Sequence, residues 1–260
     1  MLNYIKIAQA MKDRRRCFLA HESWRQALDG PIPDAGITLT PSGLIVLDAF
    51  EDLLDCATEL PGILEDSTKL LTSSKANATS SKAKADISAL SSLARGILTE
   101  AHTSRLRCKK WRNKYLKFEE FHEGHNNHQI AYDNPVIAYF DAIILMLLVA
   151  SNGTIYTVSE KIQELFPLDP GERARVESES RETLLDEVRE GGRSMRWAYT
   201  TASAQAAAPL RLLDLAFDGL LPILDLLPVD VAEVVRSARL SEEARRHLLA
   251  PGIPTPPHTP

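Results

Sequence analysis

From Ile87 onward, apolar or small residues recur at alternating spacings of three and four: Ile87, Leu90, Ala94, Ile97, Ala101, Ser104, Cys108, Trp111, Tyr115 and Phe118. That repeat averages 3.5 residues, close to one turn of an α-helix and far from the two-residue period of a strand. The stretch is therefore expected to form a single rod with one continuous buried edge, roughly 50 Å long at about 1.5 Å per residue. Gly96 near its middle costs about 1 kcal/mol relative to alanine, too little to interrupt it. The edge predicts packing against other helices of the same chain, with a homo-oligomeric coiled coil as the alternative.

The rest of the chain keeps helical spacing. The only short β candidates are Ile37 to Leu39 and Thr154 to Val158. A first helix is expected over Leu2 to Leu28, stopped by Gly30-Pro31-Ile32-Pro33. Thr40-Pro41 reads as a cap and first-turn proline. It opens a helix to about Leu60 with Leu47, Phe50, Leu54 and Ala57 inward, and Pro61-Gly62 breaks it. Further helices are expected over Val136 to Ala150, Val158 to Phe166, Pro170 to Glu190, Ser194 to Ala208, Pro209 to Leu227, Val229 to Leu240 and Ser241 to Leu249. The Gly191-Gly192 pair is read as a break.

The expected fold is thus an all-α, multi-helix bundle with one long heptad-patterned helix. Residues 1–71 form an N-terminal helical segment, and 72–85 (TSSKANATSSKAKA) a flexible Ser/Lys/Ala linker without large apolar side chains. Residues 86–250 form the bundle, and 251–260, half of them proline, an extended tail.

Of the 260 residues, 44% are hydrophobic and 25% charged, and the net charge is −5. These values suit a globular chain with a sizeable core and exclude a bulk polycation or a highly charged disordered chain. Cys17, Cys56 and Cys108 are too few and too widely spaced for a disulfide scaffold. The positive charge at Lys12 and Arg14 to Arg16 follows the first apolar residues, the reverse of a secretory signal. An intracellular location, cytoplasmic or nuclear, is expected.

The sharpest chemical signal is the segment RLRCKKWRNKYLK. Seven of its thirteen residues are cationic, Arg105, Arg107, Lys109, Lys110, Arg112, Lys114 and Lys117, and none is acidic. All seven lie off the heptad edge, so the cations sheathe the outside while Cys108, Trp111 and Tyr115 pack inward. Such a face suits an acidic protein surface, a nucleic-acid backbone or an anionic membrane. The competing reading pairs it with the acidic helix Asp48 to Glu59 of the same chain. His122, His125 and His128, beside Glu123, form the one metal-like grouping and would suit zinc, although the spacing is not His-Glu-x-x-His. Val136 to Ala150 is fifteen apolar-rich residues with Asp141 inside, shorter than the about 20 a bilayer span needs. A core helix explains it, with lipid binding or membrane association as the alternative. Arg211, Asp214, Asp218 and Asp225 share a face of the acidic-apolar C-terminal helix, a second candidate contact surface.

No nucleophile elbow, phosphate loop, dinucleotide-binding turn or di-iron helix motif is present in the sequence. The expected function is accordingly non-catalytic: a regulatory or scaffolding protein engaging an anionic partner through Arg105 to Lys117. A small metal-dependent or all-helical enzyme is a further alternative.

Overall fold

The computed structural model describes residues 2–17, 41–72, 81–116, 135–165, 181–205, 214 and 217–239, which are 88% helical and contain no strand. The all-α expectation holds. The helices are α1 (Leu2–Asp13), α2 (Pro41–Ala57), α3 (Leu60–Leu71), α4 (Ser81–Tyr115), α5 (Pro135–Leu165), α6 (Arg181–Gln205), the single turn α7 (Leu221–Leu224) and α8 (Val229–Arg236). The tail 251–260 and the candidate strand 37–39 lie outside the described residues.

Helix α5 is the centre of the bundle. From Ile137 to Ser159 every residue except the half-buried Tyr156 is buried. Pro135 opens the helix, where its missing N–H has no partner to lose. A helix apolar around its whole circumference must be covered on all sides, and α5 packs most extensively against α6 and α4, with α2, α3 and α7 closing the remainder. The α4–α5 pair runs antiparallel, since Arg112 meets Asp141 at one end and Ser104 meets Ser151 further along. The α5–α6 pair is antiparallel too, with Asn152 against Glu187 and Gln163 against Arg181. Val136–Gln163 has the length and hydropathy of a membrane span, yet 94% of its most apolar window is buried inside the protein. That burial is what a core helix requires.

Three sequence expectations are corrected. The apolar helix does not stop at Ala150, and Thr154 to Val158 is not extended, because α5 continues without a break to Leu165. Its polar residues Ser151, Asn152 and Thr157 are buried but hydrogen-bonded, Ser151 to Ser104, Asn152 to Glu187 and Thr157 back to the Gly153 carbonyl. Gly191-Gly192 is not a break, because α6 runs through it. A β-carbon at Gly191 would stand 2.9 Å from Val149 Cγ2, and one at Gly192 3.1 Å from Val235 Cα. These glycines let α6 approach α5 and α8 more closely than a side chain permits. Gly153 does the same on α5, where a β-carbon would meet Ile223 Cγ2 at 2.6 Å.

The first helix ends at Asp13, well before Leu28. Arg14 adopts φ 48°, its N–H donates to the Met11 carbonyl, and the Arg15 N–H donates to the Ala10 carbonyl. This is the Schellman ending of a helix, with arginine where glycine is usual. The reversal turns Arg16 onto α3, where its N–H meets Glu65 and its guanidinium meets Asp66. Helix α4 is a single 35-residue rod starting at Ser81, inside the stretch read as linker, and 73–80 lie outside the described residues. Of its heptad edge, Ala94, Ile97, Ala101, Ser104, Cys108 and Trp111 are buried, and Leu90 and Tyr115 half-buried. Around Pro222 the chain forms only the turn α7, with the proline in the first turn rather than mid-helix.

Two glycine-to-alanine substitutions should move stability in opposite directions. Gly96 is exposed with no heavy atom within 4 Å of a built β-carbon, so G96A should stabilise by about 0.5–1 kcal/mol. G192A carries the same helix-propensity gain but meets the α8 backbone, and should destabilise by about 1–3 kcal/mol. Urea denaturation of both variants checks the pair.

Candidate functional site

The heptad edge turns the cations of α4 away from Cys108 and Trp111, as expected. The Trp111 indole N–H donates to the Ala49 carbonyl at 2.8 Å, which fixes α4 against α2. Burial of this edge decides where each cation points. It brings most of them against carboxylates of the same chain.

Arg105 is buried and grips Glu187 on α6 with two hydrogen bonds, Nε at 3.0 Å and Nη2 at 2.7 Å. Lys109 joins the same carboxylate at 2.9 Å. Arg107 reaches Glu59 at 2.6 Å, and Lys114 reaches Asp52 at 2.8 Å. Arg112 pairs at 2.9 Å with Asp141, which is wholly buried in α5. Five of the six described cations therefore hold carboxylates from elsewhere in the chain. The continuous cationic sheath expected of this segment is not free, and the pairing with Asp48 to Glu59 of the same chain is realised at Asp52 and Glu59. Lys110 is exposed, with no carboxylate partner among the described residues. Lys117, His122, His125 and His128 lie outside the described residues. Among the described residues no group of three or more His, Cys, Asp or Glu is placed to hold a metal ion.

The second expected surface is engaged as well. Arg239 reaches Asp218 at 3.3 Å and Asp214 at 3.7 Å, Lys12 reaches Asp218 at 3.7 Å, and Arg236 reaches Asp225 at 2.7 Å. Arg211 lies outside the described residues.

The three cysteines are buried free thiols. A hydrogen bond with Cys56, and then burial, push the Cys108 thiol well above its ordinary range, so Cys108 is not poised as a nucleophile. Burial alone would raise Glu187, but the hydrogen bonds from Arg105 and Lys109 outweigh it and hold the carboxyl below its ordinary value.

A concavity that sequence reasoning missed lies where α4 and α6 flank α5. It has a volume of about 280 Å³. Lys109, Arg112 and Asn113 of α4 form one wall, and Glu187, Glu190, Gly191 and Ser194 of α6 the other. Leu145, Leu148 and Asn152 of α5 form the floor. Asn152 Nδ2 donates to Glu187 at 3.2 Å, whereas its Oδ1 is buried with no hydrogen-bond partner among the described residues. The walls carry opposite charge, and the Lys109–Glu187 pair bridges them. No one-dimensional signal marked this cleft, because Arg105 and Glu187 are 82 residues apart.

Comparison of the chain with protein-family models, with curated proteins and with solved structures found no match in any of the three.

Removing Asp141 should be costly while removing the exposed partner of Asp52 should not. D141N leaves the Arg112 guanidinium facing a neutral amide inside the bundle and should destabilise by about 3 kcal/mol, whereas K114Q should leave the melting temperature close to that of the parent. Glu187 supplies a pH signature. Its native value is depressed, so its contribution is complete above the ordinary glutamate value of 4.5 and is lost as pH falls through the lower native value. In urea titrations below pH 4.5, E187Q should show a shallower loss of stability than the parent.

Proposed function

We propose that this protein is an intracellular, non-catalytic scaffolding or regulatory module that engages an acidic protein segment at the mouth of the α4–α5–α6 cleft. The observation that carries the reading is Lys110, a cation of the basic segment with no carboxylate partner among the described residues, beside Lys109 and one turn before Asn113. On a helix, residues three and four apart are neighbours, so Leu106, Lys109, Lys110 and Asn113 share one exposed edge. Leu106 is 59% exposed, a large apolar side chain left in water at one end of that edge.

This composition favours protein over nucleic acid as the anionic partner. A phosphate backbone is bound by many cations acting together, each releasing counterions. Here most of the cations already serve the fold. One free lysine, one shared lysine, an amide and an exposed leucine instead resemble the mixed apolar and polar character of a protein contact.

The test uses Lys110 and Leu106, which hold no internal pair among the described residues, rather than Arg112, whose loss would disturb the core. Fluorescence anisotropy of a labelled acidic-apolar peptide at low salt should show saturable binding, weakened about tenfold by K110E and also by L106S, with melting temperatures unchanged. Unchanged binding in both variants would overturn the reading. Tighter binding to duplex DNA than to the peptide would replace the protein partner by a polyphosphate.

A further inference from the structure

We infer that the cleft over α5 is itself a binding site for a small zwitterion, an ammonium and a carboxylate joined by a short aliphatic body. This goes beyond the contact proposed at its rim, since Lys110 and Leu106 have no part in it. The cleft's volume of about 280 Å³ is near the lower end of small-molecule sites. Two cations, Lys109 and Arg112, face two carboxylates, Glu187 and Glu190. A lone anion or a lone cation gains no net attraction from such a lining, but a molecule carrying both charges is attracted at both ends.

The direction of the ligand follows from what each wall has left to offer. Glu187 is saturated by Arg105, Lys109 and Asn152. Glu190 is exposed, held among the described residues by Ser194 on its own helix at 3.1 Å and by Arg193 at 3.6 Å, so it is the carboxylate open to an incoming ammonium. Asn152 Oδ1 sets the same sense, because it is a buried acceptor on the floor that lacks a donor. Asn113 and Lys109 supply donors for a carboxylate on the opposite wall. Leu145 and Leu148 lie between, under the aliphatic body.

Three probes with one carbon skeleton isolate the two charges: δ-aminovalerate, valerate and amylamine. In amide-detected NMR titrations of the full chain, δ-aminovalerate should perturb residues 109–113, 145–152 and 187–194, and should bind at least about tenfold more tightly than either singly charged probe. E190Q, a change at an exposed side chain, should bring δ-aminovalerate down to the affinity of valerate and leave valerate unchanged. Equal binding of δ-aminovalerate and valerate would overturn the inference, as would shifts confined to other residues or no binding at millimolar concentration. Peptide binding lost in K110E alongside no δ-aminovalerate binding would sink the cleft site and leave the rim contact standing.

Discussion

The covering of α5 is the constraint on which the rest depends. A buried helix of this length has no polar face to give to solvent, so its neighbours must supply apolar contact on every side and partners for its charged and most of its polar groups. Asp141 is the most demanding of these atoms. Being inaccessible, it requires a cation delivered from outside, and α4 delivers Arg112. The register of α4 on α5 follows from that pair together with the Ser104–Ser151 contact. Once this register is set, Arg105 and Lys109 come opposite Glu187, and the cleft opens where α4 and α6 diverge over the floor of α5.

The same packing reassigns the charge of the basic segment. Seen along the chain, it is a cluster of like charges without acidic company. Seen in the fold, carboxylates of α2, α5 and α6, and the one preceding α3, come to it from distant positions. The pairs differ in consequence. Arg105–Glu187 and Arg112–Asp141 are largely withdrawn from water, so each matters chiefly because losing one partner strands the other. Lys114–Asp52 lies at the surface, where water and salt take most of its strength.

Much of the fold was legible from local pattern. The heptad edge located α4 and its buried residues, and the apolar run located α5. The errors share a cause. The far half of α5 reads as polar because Ser151, Asn152 and Thr157 are polar, yet partners on other helices and on the preceding turn make them compatible with burial. The Gly191-Gly192 pair reads as a break because its use is visible only beside Val149 and Val235. Arg14 ends α1 in a conformation that sequence assigns to glycine, and its reason lies on α3, in Glu65, Asp66 and Thr68. The basic segment was found, but its neutralisation and the cleft both arise from pairings across the chain that no window of sequence contains.

The three glycine contacts bear on how this molecule can move. At Gly153, Gly191 and Gly192 the neighbouring helix occupies the volume of the missing side chain, and each notch accepts one position only. Sliding α6 along its axis by a turn would bring Glu187 and Val188, or Met195 and Arg196, to places where a β-carbon crowds Val149 or the α8 backbone. Axial ratcheting of α6 past α5 and α8 is thereby opposed.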